Sequence, residues 1–310
     1  MESSAQDGAV PAYELIIVSY NSRSQIEGLL AGLPNDIPLA VVDNARGADG
    51  LRDLIRDRPN ARYLEGAGQG FATAANLGAR SSAYEYVIFV NPDTRPTVTG
   101  LETLVSQLAA EPNIASSAAT TVGADGSVEI GTGGWEPTVR RAVIHSIGLH
   151  KIAPQAGLFA RPRPYLPIRV DWTTGACMAV RVSTFVDLGG FDEQFFVYNE
   201  DVAFGRAVRE KNMTQALRTD VLVQHAAGNS GAPSKEMLRL RGASMARYVA
   251  QHNNLQNARA IRLALTFGYG LRVLAALAKG DKSRAQEHWS YILGVTSGRA
   301  SVAGRTVTRA

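Results

Sequence analysis

Two neighbouring acids, Glu200 and Asp201, directly follow an aromatic stretch that contains Phe195, Phe196 and Tyr198. A carboxylate that acts as a general base near neutral pH needs a raised pKa, and neighbouring aromatic rings raise it by excluding water. Acids in the first turn of a helix also stabilise the helix dipole. The stretch is therefore either a helix start or a pair of acids of which one does chemistry.

Two further acids stand where predicted strands end. Asp43 closes LAVVDN (39–44), and Asp93 closes YEYVIFVNPD (84–93), two residues after Asn91. Each acid could simply cap a turn. However, parallel strands bring their carboxyl ends to one sheet edge, where two carboxylates need separate partners. Asp93 and Asn91 offer oxygen ligands for Mg²⁺ or Mn²⁺ bridging a diphosphate, whereas Asp43 could accept a hydrogen bond from a nucleobase.

The elements that must position these acids alternate along the first half of the chain. Apolar runs predict strands at 13–20, 39–44, 61–66, 84–93 and 114–122, separated by helical patterns at 26–33, 51–57, 70–80 and 97–111. This alternation predicts a mostly parallel sheet with helices on both faces, in which ligands bind beyond the carboxyl ends of the strands. Residues 123–170 read as long loops, a common place for acceptor-binding surfaces, and strand character returns at 172–181 and 221–224.

Composition excludes several classes of protein. The chain is 45% hydrophobic and 19% charged, which allows a sizeable core. Cys177 is the only cysteine, so neither an internal disulfide nor a cysteine-based zinc site can form, and a buried small side chain is the simplest interpretation. The glycine-rich GAGQGF (66–71) is neither a Walker A loop nor a dinucleotide fingerprint and predicts only a tight turn before a helix.

Charge divides the chain in two. Residues 235–310 hold 13 basic and 3 acidic side chains, whereas residues 1–234 hold 19 basic and 25 acidic ones. The basic part also has helical periodicity, which predicts either a packed helical tail with a solvated basic face or an amphipathic segment on an anionic membrane surface. Few aromatic residues and no recognised motif accompany the charge, so we expect no nucleic-acid partner.

The sequence pattern predicts a soluble or peripheral protein. The N-terminal residues lack the basic and apolar parts of a signal peptide. The longest apolar run, LALTFGYGLRVLAALA (263–278), contains Arg272 and is shorter than a spanning helix. We expect a cytoplasmic location, peripheral on the inner face of the cell membrane if the basic tail binds lipid.

Seven motifs resemble glycosyltransferase family 2 and occur in the family's order. They are ELIIVSYNS, VVDNA, GFATAANLGA, VIFVNPDT, TGACMAVR, LGGFDEQFFVYNEDVAFGRAVREKN and QHAAGNS. The likeness covers residues 13–252 and is greatest to the bacterial rhamnosyltransferase branch, which builds cell-wall or surface polysaccharide. It implies a GT-A fold, a nucleotide-sugar donor, and Mg²⁺ or Mn²⁺ as cofactor.

The resemblance also assigns roles to residues of this sequence. Asp201 matches the catalytic base, with Glu200 beside it or acting only as a helix start. Asp93 matches the last residue of a metal-binding Asp-x-Asp motif whose first acid is Asn91 here. His225 matches a histidine that reaches the metal or diphosphate in some relatives, and it could equally be structural. The implied donor-binding residues are Ser19, Tyr20, Asn21, Asp43, Asn44, Gly70, Asn76 and Asn91. The implied acceptor-binding residues are Trp172, Gly175 and Tyr198, with Trp172 alternatively filling the core.

Three positions depart from the family pattern. Gly68 and Arg46 replace the usual Asn and Ser near the expected donor pocket, and Ala203 replaces an acid two residues after Asp201. The last change leaves only Glu200 and Asp201 for the acid–base role.

These observations predict a function and a domain organisation. We expect an inverting glycosyltransferase that moves L-rhamnose from dTDP-rhamnose to a lipid-linked or polymeric glycan. A UDP-hexose or UDP-galactofuranose donor, or a nucleotide-sugar-binding protein without catalysis, are the alternatives. The predicted parts are a flexible N-terminus (1–12), a GT-A domain with a nucleotide-sugar half (13–122) and an acceptor half (123–252), and a helical basic extension (253–310).

Overall fold

The computed structural model describes residues 10–163, 166–225, 234–302 and 305–309. Its strands are β1 (Tyr13–Ser19), β2 (Leu39–Asp43), β3 (Ala61–Glu65), β4 (Tyr86–Val90), β5 (Thr94–Arg95), β6 (Ile114–Val122), β7 (Gly133–Gly134), β8 (Ile168–Val170), β9 (Trp172–Thr173), β10 (Cys177–Arg181), β11 (Thr214–His225), β12 (Arg299–Val302) and β13 (Arg305–Arg309). Its helices are α1 (Arg23–Ala31), α2 (Leu51–Leu54), α3 (Phe71–Arg80), α4 (Val98–Ala110), α5 (Val139–Ser146), α6 (Val182–Asp187), α7 (Glu200–Glu210), α8 (Ser234–His252), α9 (Leu255–Ala278) and α10 (Lys282–Ser297), with short 3₁₀ helices at Leu149–Lys151 and Pro154–Ala156.

One large sheet carries the fold. Its strands run in the order β3-β2-β1-β4-β10-β6-β11-β5, with β8 also beside β11. The pairs β3–β2, β2–β1, β1–β4 and β6–β11 are parallel, and β10 inserts antiparallel between β4 and β6. The α/β prediction with a mostly parallel sheet is therefore confirmed, although β10, from the predicted acceptor half, lies within the sheet.

Alternating side chains bury both faces of this sheet, as period-two strands require. Leu15 and Ile17 of β1 pack with the apolar sides of α1 and α4. Ile16, between them, faces the other way and packs with alanines of α3 and with Phe185 and Phe204. Because helices cover both faces, the carboxyl-end edge is where the central strands can meet a ligand.

A third hydrophobic core joins the C-terminal helices to the rest of the chain. Phe195 and Trp172 pack there with Tyr248 of α8, Leu265 of α9 and Tyr291 of α10. The predicted helical extension also ends in a hairpin, β12–β13. The division of the chain at residues 122 and 252 stays a prediction.

Two predicted elements differ from the structure. The helix expected at 51–57 is helical only over Leu51–Leu54, and the chain continues in turns up to Pro59, which has no N–H to donate to a continued helix. The strand expected at 172–181 is two strands, since β9 pairs with β7 in a small separate sheet before the chain enters the large sheet as β10. Residues 1–9 of the predicted flexible N-terminus and residues 226–230 of the QHAAGNS motif lie outside the described residues.

Candidate active site

The predicted donor-binding residues begin at the adjacent carboxyl ends of β1 and β2. Ser19 pairs in register with Asp43, and both are buried. The chain then turns, leaving Tyr20 exposed and Asn21 at a positive φ of 51°. The hydroxyl oxygen of Ser19 is buried without a hydrogen-bond partner among the described residues. The parallel register thus brings the two strand ends together as the sequence predicts.

The Asp43 carboxylate is hydrogen-bonded both to the turn that follows it and to β3. One oxygen accepts the Ala45 amide at 2.7 Å, and the other accepts the Gly47 amide at 2.7 Å and the Tyr63 hydroxyl at 2.8 Å. The Asp43 side chain has no exposed surface. It therefore shapes the 43–47 turn in this structure, which is the turn-capping alternative, and a direct contact with a nucleobase stays a prediction.

Asn44 ties that turn to the glycine-rich loop. Its amide nitrogen donates to the Gly70 carbonyl at 2.9 Å, and its amide oxygen accepts the Gly68 N–H at 3.2 Å. Gly70 in turn begins α3, whose first residue, Phe71, donates its N–H to the Phe196 carbonyl at 2.7 Å. These bonds connect the donor edge of the sheet to the aromatic stretch that precedes the acid pair.

We expect Gly70→Ala to be strongly destabilising. Gly70 has a φ of +104°, and a Cβ there would lie 2.1 Å from the Phe196 carbonyl oxygen. Strain of this kind costs about 1–3 kcal/mol before the clash is counted. Gly126→Ala is the control, because Gly126 has a φ of +77° with nothing within 4 Å. Thermal unfolding of both variants separates the clash from the backbone strain, and equal losses of stability would contradict the close approach.

The amide of Asn76 is hydrogen-bonded within the protein. Its amide nitrogen donates to the Phe191 carbonyl and the Glu193 carboxylate, each at 2.8 Å, and its oxygen accepts the Phe191 N–H at 2.9 Å. The side chain is fully buried. Asn76 therefore anchors α3 to the 189–193 loop through both its amide nitrogen and its amide oxygen, and a direct contact with the donor stays a prediction.

His225 connects the candidate cation ligand Asp93 to Glu129. His225 Nε2 lies 3.3 Å from an Asp93 carboxylate oxygen, and His225 Nδ1 lies 2.8 Å from a Glu129 carboxylate oxygen. Asn91 holds the Asp93 turn in place, because its N–H donates to the Ala176 carbonyl and its carbonyl accepts from Thr94. Burial alone would lower the pKa of His225, but the hydrogen bonds and charges of Asp93 and then Glu129 raise it to about 9.

This donor set fits a divalent cation that is only partly held by protein. Carboxylate and imidazole groups are suitable ligands for Mn²⁺. Mg²⁺ could bind to the same carboxylate if further oxygen ligands complete its coordination shell. Over the described ranges no three His, Cys, Asp or Glu side chains converge on one point as a cage, since His225 stands between the two carboxylates. Asp93 and His225 can supply one or two ligands, with a diphosphate and water completing the shell. His225 would ligate only after losing a proton.

A tight turn positions the acid pair. Tyr198 and Asn199 both have positive φ, 68° and 69°, and α7 begins immediately afterwards at Glu200. Asp201 accepts the Val202 N–H at 2.8 Å through one carboxylate oxygen and lines a cavity together with Tyr198 and His225. The turn thus directs the chain so that Asp201 lines the cavity and Glu200 does not.

The two acids differ in environment. Glu200 is buried, and one of its carboxylate oxygens has no hydrogen-bond partner among the described residues. Burial, and then the charge of Asp201, raises the pKa of Glu200 well above its usual range. Burial also raises the pKa of Asp201, although the Val202 amide and the charge of Arg241 act in the opposite direction. Glu200 therefore favours its protonated form, which leaves negative charge on Asp201.

The cavity beside Asp201 has a volume of about 640 Å³, and six Phe, Tyr or Trp side chains belong to its wall. Trp172 belongs to this wall and to the third hydrophobic core at once, with its ring edge-on to Phe159 at 6.0 Å between centroids. Gly175 packs against Phe71, and its neighbours Thr174 and Ala176 line the cavity. The C-terminal helices complete it through Leu265, Tyr269 and Tyr291.

Several residues of this site carry no signal in the sequence. Glu129 comes from the loop after β6, and Arg241 comes from α8, where its guanidinium carbon lies 5.5 Å from the Phe159 ring and 5.8 Å from the Tyr198 ring. The pattern marks 123–170 as a candidate acceptor surface, but nothing in it singles out Glu129 or His145. Arg241 is one of 13 basic residues between positions 235 and 310, and nothing in the sequence distinguishes it from the others.

Comparison with known proteins supplies the identification. The sequence model described as Glycosyl transferase family 2 matches residues 14–163, which include β1, β2, β4 and the candidate cation ligand Asp93. The chain is a glycosyltransferase with a family 2 domain.

Characterised relatives agree with this assignment of the glycosyltransferase. It is 28% identical over 216 residues to the N-acetylglucosaminyl-diphospho-decaprenol L-rhamnosyltransferase of Mycobacterium tuberculosis, covering 62% of this chain and 68% of that protein. It is 25% identical over 206 residues to rhamnosyltransferase WbbL of Escherichia coli, covering 61% and 73%. The hexosyltransferase Agl10 of low-salt glycan biosynthesis in Haloferax volcanii is 26% identical over 204 residues, covering 64% and 62%. The rhamnosyltransferase-like branch is thus confirmed.

Solved structures confirm the GT-A fold. The mannosyltransferase PcManGT of Pyrobaculum calidifontis, solved with GDP-Man and Mn²⁺, superposes with a TM-score of 0.59 at 15% identity, covering 93% of this chain and 87% of that one. GalNAc-T7, solved with UDP, GalNAc and Mn²⁺, gives a TM-score of 0.54 at 14% identity, covering 79% and 52%. At these identities the likeness concerns the fold alone.

Proposed function

We propose that this glycosyltransferase moves L-rhamnose from dTDP-rhamnose to a hydroxyl of a lipid-linked glycan, with inversion at the anomeric carbon. The observation that carries the proposal is the position of Asp201, a carboxylate of raised pKa on the wall of an aromatic cavity that His225 also lines. His225 contacts Asp93, so the base and the candidate cation ligands belong to neighbouring parts of one site.

In this mechanism, Asp201 takes the proton of the acceptor hydroxyl as its oxygen attacks the donor sugar. One Asp201 oxygen is occupied by the Val202 amide, which fixes the carboxylate and leaves the other oxygen for the hydroxyl. The Trp172 and Tyr198 rings exclude water and can stack on sugar rings, and they orient the acceptor for an in-line attack.

Asp93 and His225 would hold Mg²⁺ or Mn²⁺ against the donor diphosphate. A cation bound there supplies Lewis-acid neutralisation of the charge that develops on the leaving diphosphate. The hydrogen bond from the Asn91 N–H to the Ala176 carbonyl fixes the turn that carries Asp93 and so orients its carboxylate. Mn²⁺ in two solved structures of the same fold supports the choice of cofactor.

The relatives support the substrates. Two of them are named rhamnosyltransferases, and the mycobacterial one is named for a diphospho-decaprenol acceptor. The archaeal hexosyltransferase keeps a UDP-hexose or UDP-galactofuranose donor as the alternative.

A donor screen tests the proposal. Purified protein is mixed with dTDP-rhamnose, UDP-glucose, UDP-galactofuranose or GDP-mannose, with Mn²⁺, Mg²⁺ or EDTA. Thermal unfolding and release of free nucleotide diphosphate are then followed. We expect dTDP-rhamnose with a cation to give the largest stabilisation and the fastest release. Stabilisation without any release or transfer, for every donor and with a farnesyl-diphosphate-linked N-acetylglucosamine acceptor, would favour a non-catalytic nucleotide-sugar-binding protein.

We also propose that the outer face of α9 rests on an anionic membrane surface, which would make the enzyme peripheral on the cytoplasmic face of the cell membrane. Leu263, Phe267, Leu271 and Leu274 are 70, 57, 43 and 64% exposed and form one helical stripe, the apolar face of α9. An exposed stripe of this size marks an interaction site. The net charge of +10 over residues 235–310 is complementary to anionic lipid and would repel a second copy of the same tail.

The packing of α9 favours lying on the membrane over crossing it. By length and composition alone α9 could span a bilayer, with a mean hydropathy of 1.4 over an 18-residue stretch that is 22% buried. Its inner face, however, contributes Ile261 and Leu265 to the third core, and Arg262 donates to the Val295 and Thr296 carbonyls of α10. A helix that completes a folded core on one side is suited to an interfacial position.

We expect Leu263→Gln with Phe267→Gln to weaken binding to phosphatidylglycerol vesicles at least tenfold, since each buried apolar side chain is worth about 1.5–3 kcal/mol. Leu77→Gln with Val186→Gln, two exposed apolar residues on other helices, is the control. Co-sedimentation at low and high salt and with phosphatidylcholine gives the charge dependence. Binding that neither salt nor the α9 variant changes would refute the proposal, as would dimers by light scattering that only the α9 variant dissociates.

A further inference from the structure

Two arginines, one on the wall of the cavity and one beside it, form no ion pair among the residues that the structure describes. Arg241 of α8 lines the cavity between the Phe159 and Tyr198 rings. Arg272 of α9 lies over the Tyr269 ring at 5.0 Å, with Nη2 3.4 Å from His145 Nε2. The Arg272 Nη1 atom is buried with no hydrogen-bond partner there. A buried guanidinium N–H without an acceptor is unfavourable unless a ligand supplies one.

The surroundings of these arginines are positively charged. His145 is buried, lines the cavity and stacks on His150 at 4.6 Å. Burial, followed by the charges of Arg272, His150, Arg241 and Arg161, lowers the pKa of His145 to about 3. Burial is the first cause of this shift, and the neighbouring arginines add a positive potential to it. Such a potential in a cavity attracts an anion.

We propose that Arg241, Arg272 and His145 form a subsite for the phosphate or diphosphate group of the acceptor. Guanidinium groups pair with phosphate oxygens through two parallel N–H donors, and the unpartnered Arg272 Nη1 can supply one of them. The neutral imidazole of His145 can donate a further hydrogen bond. This inference rests on the proposed function, because it assigns the acceptor side of the same cavity.

The position of the subsite favours the acceptor over the donor as the source of the phosphate. Arg272 belongs to α9, which packs mainly on α5, α8 and α10, whereas the candidate cation ligand Asp93 follows β4 of the central sheet. Asp201 lines the same cavity as Arg241 and His225, and His225 contacts Asp93. A donor diphosphate held at Asp93 therefore leaves the arginines to a second anionic group.

Helix α9 also places exposed apolar side chains close to the proposed anion subsite. Residues 265, 269 and 272 of α9 face the cavity or its border, while Leu263, Phe267 and Leu271 are exposed on the outer side. An acceptor whose sugar is joined through phosphate to a lipid has both groups that α9 would meet. A phosphate-free glycan would leave the two guanidinium groups without an anionic partner.

Calorimetric titration of farnesyl diphosphate into the full-length protein tests the subsite. EDTA is present throughout, so that cation-dependent binding at Asp93 is removed. We expect the wild-type protein to bind the probe. Arg272→Gln and Arg241→Gln should each weaken this binding at least tenfold, because a charge-assisted hydrogen bond contributes about 1.5–3 kcal/mol. Arg259→Gln, which removes an exposed arginine from the same helix, should leave binding unchanged.

Further arms distinguish the sources of the anion. Inorganic pyrophosphate should bind more weakly than farnesyl diphosphate but lose affinity in the same variants. Binding of dTDP with Mn²⁺ should survive Arg272→Gln, since the donor diphosphate is held elsewhere. Failure of farnesyl diphosphate to bind, equal binding by all variants, or loss of dTDP binding in both arginine variants would overturn the proposal. Because the probe carries no sugar, these results are independent of whether the donor screen shows rhamnosyl transfer.

Discussion

Replacing Asp201 with asparagine is expected to lower kcat for sugar transfer by about 10²- to 10⁴-fold, the usual contribution of a general base. Asparagine keeps the size of the side chain and can still accept the Val202 N–H through its oxygen. It cannot take a proton from the acceptor hydroxyl. Donor binding, measured by thermal stabilisation with Mn²⁺, should survive, because in the proposed mechanism Asp201 acts on the acceptor hydroxyl and does not hold the donor.

The control for this prediction is Asp187→Asn, which removes an exposed acid at the end of α6. A variant Asp201→Asn that keeps more than a tenth of wild-type turnover would remove Asp201 from the role of base. Glu200→Gln sharpens the comparison, since a buried, protonated acid has the shape of glutamine. Loss of turnover in Glu200→Gln, with activity retained in Asp201→Asn, would transfer the role to Glu200.

The pH dependence of kcat gives a second readout of the same base. A base must be ionised, so activity falls as the pH drops through its pKa. Burial raises the pKa of Asp201, so the acidic limb should lie above the ordinary value of about 3.9 for an aspartic acid. Wild-type kcat measured between pH 4 and 8 checks this. A limb that stays near the ordinary value would contradict a desolvated base.

Replacing Asp93 with asparagine is expected to abolish the cation-dependent part of donor binding. The donor diphosphate is anionic, and the Asp93 carboxylate is the side chain best placed to hold a cation against it. A ligand at 100 times its Kd stabilises a protein by about 2.7 kcal/mol, so the loss is measurable as a shift in Tm. Thermal unfolding with dTDP-rhamnose, with and without Mn²⁺, makes the measurement.

Asp57→Asn, which removes an exposed acid near the donor half of the sheet, is the matched control. EDTA should reduce the wild-type protein to the behaviour of Asp93→Asn. A Tm shift that Mn²⁺ increases equally in both proteins would show that Asp93 is not a cation ligand. Loss of folded structure in Asp93→Asn without any ligand would instead assign Asp93 a structural part, through His225 and Glu129.

The sequence predicts the first half of the fold closely. Strands β1, β2, β3, β4 and β6 lie within two or three residues of their predicted bounds, because each is a short apolar run bounded by turn residues. The insertion of β10 between β4 and β6 is not predictable in this way. Strand order depends on which edges the long loops allow to meet, and local periodicity contains no information on such distant pairing.

Some residues of the candidate site can likewise be predicted from the sequence, whereas others cannot. Asp43, Asp93 and Asp201 stand out because acids at strand ends or after aromatic stretches are unusual in type and place. Asn76 carries the same family signal, yet its amide is used by Phe191 and Glu193, since a motif does not tell which way a side chain points. Glu129 and Arg241 have no distinguishing neighbours in the sequence and reach the site only through folding.

By itself, the sequence determined the parallel-sheet class, the glycosyltransferase family, the candidate acids and the separation of a basic tail. Composition, periodicity and ordered motifs are properties of the sequence itself, so they can be recognised without a structure. Only the tertiary structure decided that Asp43 is bonded to its own turn and to Tyr63, that Glu200 is buried while Asp201 faces the cavity, and that α9 lines the cavity with one face and exposes the other. Those facts depend on contacts between residues far apart in the chain, where burial sets the pKa of a carboxyl and packing sets which face of a helix is left uncovered.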